Sequence, residues 1–482
     1  MSTRTDNPGA RTAAATIGAG PKRRQWALQL ATRYADQGRA RAFRRDGLIA
    51  GGWTLAASSI ALFLADHGQT YFTTLGGAVT AGGIVAGLVA TVAMCLMLML
   101  SARVPFIDRT IGQDRALSLH AKLGKSMVFG LLAHGVLLIV GYAITAAVNP
   151  IAMFAQLWAS TFDFVLACLA IVGFGAVGVS SMMAVRKKYP YEAWYAIHLL
   201  SYVAIAASLP HQFSMSGMLA AGTIGRPFWI ALWLATAFCL LTFRVFLPLF
   251  TTLGHGLRVS RVVREGADAV NIEFTGRHLE RLGAKGGHWL NWRFLTPELA
   301  LQPHPFSLSA DPTNTTMRVT VRNLGAGTAR LMNLKPGTRV AVEGPYGMFT
   351  DEARTRGRVV LAGAGIGIAP VRALLESTSF VPGDAVVILR ASTPGELYLL
   401  DEVRTLCAAK GATLYVLVGR RAGDDAWVDA AHAGLHLTDF APWASEADVF
   451  LCGPNPWMDA FVADAEACGV PAGRIHDERF DW

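Results

Sequence analysis

Four histidines, His120, His134, His198 and His211, are the residues whose type and placement say most about chemistry. The first two fall in one long apolar stretch and the last two in another. An imidazole is costly to place in hydrocarbon, so its presence signals a metal ligand, a proton path or a hydrogen bond to a neighbouring helix. Two pairs in two stretches point to two metal centres. Fourteen residues separate His120 from His134; on an α-helix that is about 21 Å of rise and roughly 40° short of four turns, so both rings face one side at opposite depths. His198 and His211 are thirteen apart, about 20 Å of rise but some 140° out of phase. Pro210 directly precedes His211, and a helix break at the proline would re-aim the second ring.

Imidazole on both sides of an iron holds a haem that carries electrons, because no coordination site is left open. Pairing His120 with His198, and His134 with His211, stacks two such haems across a bilayer. No C-x-x-C-H occurs, which argues against covalent c-type attachment and for two b-type haems.

The composition supplies the membrane. Of 482 residues, 52% are hydrophobic, too apolar for an ordinary soluble protein and too long for one domain. Runs near 47–65, 75–101, 123–148, 162–185, 193–213 and 227–250 approach or exceed the roughly 20 residues needed to span. They predict an all-α six-helix membrane domain over 46–250. Basic residues cluster from Lys22 to Arg45, at Arg103, Arg109 and Arg115, and at Arg186, Lys187 and Lys188, whereas 66–74, 149–161 and 212–225 contain no Lys or Arg. Under the positive-inside rule both termini are cytoplasmic. The net charge of +9 is then mostly topology, and no nucleic-acid partner is read from it. Residues 1–45 are expected to be a mobile basic cytoplasmic tail, without the apolar core and cleavage site of a signal peptide. The six cysteines show no C-x-x-C or ferredoxin spacing, which speaks against an iron-sulfur cluster or a disulfide framework.

From about residue 256 the rhythm becomes short alternating runs, at Leu257 to Val263, Ala269 to Phe274, Met317 to Val321 and Thr338 to Val342. Period-two alternation predicts an antiparallel β-barrel over 251–350. After Arg358, strand-like runs at Val359 to Ala362, Ala385 to Leu389, Thr413 to Val418 and Val449 to Cys452 alternate with helical stretches, predicting an α/β domain with a parallel sheet over 351–482.

The barrel carries His304-Pro305-Phe306-Ser307-Leu308-Ser309. Proline fixes an extended backbone, the aromatic offers a stacking face and the hydroxyl both gives and accepts a hydrogen bond. Here the chain resembles ferredoxin-reductase-type flavoproteins and, more closely, the membrane-bound NADPH oxidase and ferric reductase superfamily. That resemblance implies FAD, with His304 near its diphosphate, Phe306 on the ring system and Ser307 hydrogen-bonding near the hydride-accepting nitrogen. Arg322 and the turn Gly325-Ala326-Gly327-Thr328 offer a cation, backbone N–H groups and a hydroxyl suited to a diphosphate. The family has a comparable second flavin contact there.

In the second domain a strand runs into Gly363-Ala364-Gly365-Ile366-Gly367-Ile368-Ala369-Pro370. Strand, glycine turn and helix let the backbone approach a pyrophosphate and aim a helix dipole at it. Pro370 stands where a Rossmann dehydrogenase would have glycine, and the resembled family has G-x-G-x-x-P at this point. About 20 residues on, an acid would suit NADH and an arginine the 2′-phosphate of NADPH; the chain has Arg390 and Ser392, then Arg420 and Arg421. NADPH is favoured. Cys452-Gly453-Pro454 closes another strand, and in the family this cysteine borders the meeting point of nicotinamide and flavin. The family also often ends on an aromatic that covers the flavin, which points to Trp482, or to Phe480.

The combined expectation is a transmembrane oxidoreductase. A hydride passes from NADPH to FAD, and electrons pass singly through haems on His120/His198 and His134/His211 to a ferric chelate or oxygen outside. The alternative is a haem-bearing conduit that delivers electrons to a separate outer-face protein. A transporter using histidines as proton relays would instead be colourless. The sequence names no protein partner, and no regulatory domain precedes the spans, so constitutive activity is expected.

Overall fold

The computed structural model describes residues 21–186, 188, 191–214, 219 and 222–479. Among these, six helices are long and apolar enough to cross a membrane: α1 (Pro21–Ala65), α2 (Leu75–Ser101), α3 (Gln113–Thr145), α4 (Phe162–Ser180), α5 (Tyr191–Ser214) and α6 (Arg226–Leu241). The last continues through a π-turn at Thr242–Phe246 into a helix over Leu247–His255. Helices suit such sequences because every backbone group finds its partner within the segment, leaving none to face lipid. The chain forms two compact units.

The membrane unit holds residues 45–107 and 113–245. Its centre is α2, the most buried of the spans. Thr74 starts this helix by accepting from the Gly77 N–H at 3.1 Å. Small residues let α2 and α3 lie close: a Cβ at Gly76 would come 2.4 Å from Thr145 Oγ1, and one at Gly141 would come 2.3 Å from Thr80 Oγ1. Between α3 and α4, where the sequence suggested only a loop, Asn149 caps a short helix over Pro150–Ser160. The expected break at Pro210 is absent, because α5 runs through the proline to Ser214. The proline takes from the Ala206 carbonyl its helical donor, yet the four residues after it stay helical.

The second unit holds, among the described residues, 21–44, 108–112 and 246–479. Two three-stranded antiparallel sheets form its first half. One is β1 (Arg258–Glu265), β2 (Ala269–Thr275) and β5 (Thr316–Arg322); the other is β4 (His304–Ser307), β3 (Trp289–Phe294) and β6 (Val340–Tyr346). Bridges at Leu308↔Val319 and Arg258↔Arg339 join them around a core that includes Phe274, Trp292 and Phe294. The short helix α7 (Ala326–Leu331) follows β5. The second half is a five-stranded parallel sheet in the order β11-β10-β7-β8-β9, built from β7 (Arg358–Ala364), β8 (Ala385–Ala391), β9 (Thr413–Val418), β10 (Ala447–Cys452) and β11 (Ile475–Glu478) with helices α8 (Ile368–Ser377), α9 (Leu400–Lys410) and α10 (Asn455–Ala467).

The basic segment from residue 21 is no loose tail. It is the first half of α1, and Leu30 and Tyr34 are buried with Val381 of the parallel-sheet domain. The Tyr34 hydroxyl accepts from Arg354 Nη1 at 2.9 Å and lies within donating distance of Asp351 Oδ1 at 3.0 Å and the Ser379 carbonyl at 2.9 Å. Arg354, fully buried, also lies under the Tyr34 ring at 4.1 Å. Arg41 donates to the Ala353 carbonyl at 2.7 Å. Basic residues of this segment therefore hold structure, as Arg41 does.

Candidate functional site

The four membrane histidines meet in the predicted pairs. The ring centres of His120 and His198 are 6.1 Å apart, and those of His134 and His211 are 6.4 Å apart. His120 Nδ1 lies 3.0 Å from the Met97 carbonyl and His134 Nδ1 lies 2.8 Å from the Gly83 carbonyl. A carbonyl only accepts, so each Nδ1 carries the proton and each Nε2 keeps its lone pair for a ligand. His198 Nδ1 is 3.4 Å from the Ser181 hydroxyl, and the Trp194 ring lies 5.1 Å from the His198 ring. Two metal–imidazole bonds of about 2 Å, with each ring centre about 1 Å further back, would set the centres of two imidazoles sharing one metal ion from opposite sides roughly 6 Å apart. Both pairs fit that span. Among the described residues no group of three or more His, Cys, Asp or Glu could hold a metal ion. Two nitrogens alone would leave most metal ions short of ligands, and a porphyrin is a group that would supply the other four.

In the antiparallel half, register pairs Trp289 with Ser307, Leu290 with Phe306, Asn291 with Pro305 and Trp292 with His304. The Trp292 indole N–H holds the Phe306 carbonyl at 3.1 Å, and the His304 and Phe306 rings lie parallel within 6° at 5.9 Å. Burial and the neighbouring Arg293 cation hold the His304 imidazole below its ordinary value, so it is neutral. Its Nε2 and the Ser307 Oγ are buried without a partner among the described residues. Orphaned buried polar atoms cost about 1–3 kcal/mol each unless something binds them, which is what a flavin's polar edge would do. Gly327 borders this spot, since a Cβ there would sit 3.9 Å from His304 Cε1. Two other expected contacts are differently engaged. Arg322 is held by Asp268 at 2.7 Å and Glu396 at 3.0 Å. The Thr328 hydroxyl accepts from the Leu324 N–H at 2.8 Å and closes onto the Gly325 carbonyl at 3.1 Å. Neither residue is poised for a diphosphate as it stands.

The glycine loop follows β7 as expected. Gly365 has φ +56°, a conformation other residues rarely adopt, and a Cβ at Gly367 would lie 2.1 Å from the Cys452 carbonyl. Gly363 is tight as well, with Ile368 Cα at 3.0 Å from a Cβ there, and Pro370 is buried in the first turn of α8. The loop and the Cys452-Gly453-Pro454 turn are thus brought together at the carboxyl ends of neighbouring strands β7 and β10. Arg390, at the same end of β8, is buried. It donates to the Ala391 carbonyl, while its Nε and Nη2 have no partner among the described residues. Ser392 and Arg420 are exposed, and the Ser392 N–H is held by Glu396 at 3.1 Å. Arg421 holds the carbonyls of Asp424 at 2.8 Å and Pro456 at 3.0 Å.

Cys452 is buried, and desolvation together with the nearby Glu478 and Asp477 charges keeps its thiol protonated, well above its ordinary range. The thiol donates to the Glu478 carbonyl at 3.7 Å. Sequence reasoning passed over Glu478, a buried acid whose Oε1 would lie 2.9 Å from a Cβ at Gly347, the same distance as Trp289 Cδ1. Trp289, the partner of Ser307 in register, and Glu478 thus both border Gly347. No strand was expected over Ile475–Glu478 from the sequence, so nothing marked this acid as buried. Phe480 and Trp482 lie outside the described residues.

These features define a multi-pass membrane protein with a two-domain reductase-type module. The family model described as ferric reductase like transmembrane component matches residues 86–209, which include His120, His134 and His198 and stop short of His211. The chain is 29% identical over 209 residues to a flavohemoprotein of Xylella fastidiosa, covering 41% of this chain and 51% of that protein. It is 29% identical over 236 residues to the ferredoxin reductase component of a 3-ketosteroid-9-alpha-monooxygenase from Rhodococcus rhodochrous, covering 47% and 64% respectively. A flavohemoprotein of Bordetella pertussis is 30% identical over 211 residues, covering 40% and 52%. The chain spans about half to two thirds of the length of these curated relatives.

Proposed function

We propose that the chain is a transmembrane oxidoreductase that draws electrons from cytoplasmic NADPH and delivers them to a small acceptor outside, a ferric chelate or oxygen. FAD and two b-type haems, when bound, supply the conversion of a hydride into single electrons and their passage across the bilayer. The observation that carries this reading is the spacing within the two imidazole pairs, 6.1 and 6.4 Å.

Each residue has a definable task. The Met97 and Gly83 carbonyls fix the protonated nitrogen of His120 and His134, so that Nε2 faces the ligand side. His304 and Ser307 hold the polar parts of the flavin and Phe306 its flat face. Gly363, Gly365 and Gly367 let a pyrophosphate approach the start of α8, and Gly453 and Pro454 shape the facing turn. Arg390, with Ser392 and Arg420, selects the 2′-phosphate of NADPH. The neutral Cys452 thiol borders the hydride path without taking a covalent part. The absence of Lys and Arg from 66–74, 149–161 and 212–225 supports cytoplasmic termini.

A dithionite-reduced minus oxidised visible spectrum of the purified protein, with haem and flavin quantified per chain, tests the proposal. Two haems b and one FAD are expected, with NADPH oxidised steadily when ferric citrate or oxygen is the only acceptor. A colourless preparation would refute the electron path. Haem and flavin without turnover on either acceptor would favour a conduit to a separate protein.

A further inference from the structure

We infer that α2 positions both imidazoles of α3, and that Gly87 is the residue that makes room for His134; this rests on the two-haem reading above. The contacts come in a matched antiparallel register. The acceptors for His134 and His120 are the carbonyls of Gly83 and Met97, at 2.8 and 3.0 Å, and these two residues are fourteen apart on α2, as the histidines are on α3. Both carbonyls are helical, and each has a second lone pair to offer the ring beyond its bond within the helix. One helix thus sets the protonated nitrogen at both depths.

The clearance, by contrast, is built at one depth only. A Cβ at Gly87 would lie 2.5 Å from His134 Nδ1 and 2.8 Å from its Cε1. Those distances lie inside any real contact, and the ring cannot retreat without leaving the Gly83 carbonyl or His211. No glycine of α2 borders His120 in the same way. Gly82, on the same helix, would place a Cβ 3.9 Å from Leu137 Cδ1, an ordinary contact. Gly87 is therefore a positioning residue for the His134/His211 level alone, acting through the imidazole and not on the haem directly.

The test uses the full-length protein in detergent, read by pyridine haemochrome for haem per chain and by potentiometric titration for midpoints. Gly87→Ala is expected to bind half the haem of the parent and to keep one of its two midpoints unchanged, while Gly82→Ala matches the parent. In a His134→Ala background, Gly87→Ala should change nothing further, because the ring it would meet is gone. Retention of both haems with both midpoints unchanged in Gly87→Ala overturns the inference. So does a loss that Gly87→Ala adds on top of His134→Ala, since that assigns the alanine's cost to helix packing. If Gly87→Ala alone fails to accumulate, the double variant decides: accumulation at the His134→Ala level supports the inference, and failure overturns it. A parent without haem overturns the two-haem reading and this inference together, and the parent's own spectrum tells that failure from the others.

Discussion

Replacing Tyr34 by phenylalanine removes one oxygen from the seam between the first half of α1 and the parallel-sheet domain. That oxygen accepts from Arg354 Nη1 at 2.9 Å and donates to Asp351 or the Ser379 carbonyl. Hydrogen bonds to charged groups contribute about 1.5–3 kcal/mol. Arg354 nevertheless keeps Asp351 at 3.1 Å, Thr378 at 3.0 Å and the carbonyls of Arg356 and Gly357 at 3.1 and 2.7 Å. Asp351 keeps Arg354 and Thr378. No charge is orphaned, so the loss sits near the low end, at about 2 kcal/mol. Tyr34→Ala also empties the site of a fully buried ring and removes the cation–π contact, for about 4 kcal/mol or more. The cost falls on local opening of the helix, which amide hydrogen exchange over residues 25–44 reads directly. About 2 kcal/mol is roughly a thirtyfold faster exchange in the phenylalanine variant. Unchanged protection in Tyr34→Ala would mean that this segment is not docked and that the reasoning is wrong.

Arg390→Ala should raise the KM for NADPH by about 10- to 100-fold, the worth of one or two charge-assisted hydrogen bonds, and leave NADH turnover nearly unchanged; equal loss with both nucleotides would remove the assignment. Ser307→Ala should retain FAD but slow its reduction by NADPH roughly tenfold, the worth of one hydrogen bond, as followed by stopped-flow bleaching of the flavin. His288, buried and flanked by Lys285 and Arg109, is pushed down to about 4 by desolvation first of all, with Glu352 opposing. Its folded value lies below the unfolded 6.5, so the unfolded chain binds more protons between about pH 6.5 and 4, and stability falls as pH falls through that window. The loss approaches about 3 kcal/mol at the acid end. His288→Asn should flatten the acid limb of a flavin-release curve, and an unchanged slope would assign it to other groups.

Where a single segment carries its own signal, the sequence was readable. The apolar runs, the alternation of β2 and β5, the strand–glycine–helix order after Arg358 and the paired histidines each rest on local periodicity or spacing. What escaped depends on partners far away in the chain. Tyr34 and Arg354 are 320 residues apart and look like surface residues until the fold joins them. Arg322 reads as a spare cation because nothing local shows that Asp268 and Glu396 will claim it. Pro210 was weighed as a breaker on the general cost of proline inside a helix, yet only one turn follows it, so little remained to be broken. Glu478 is charged and buried, a combination that composition weighs against.

The shared register of α2 and α3 means that two sites at opposite depths are read against one ruler. Sliding one helix along the other by a single residue, about 1.5 Å, would disturb both imidazole–carbonyl contacts together. A change at one position only, such as a Cβ at Gly87 against His134, would reach one level and spare the other. Loss of both sites and loss of one therefore have different origins, the first in the register of the two helices and the second in a single contact along it.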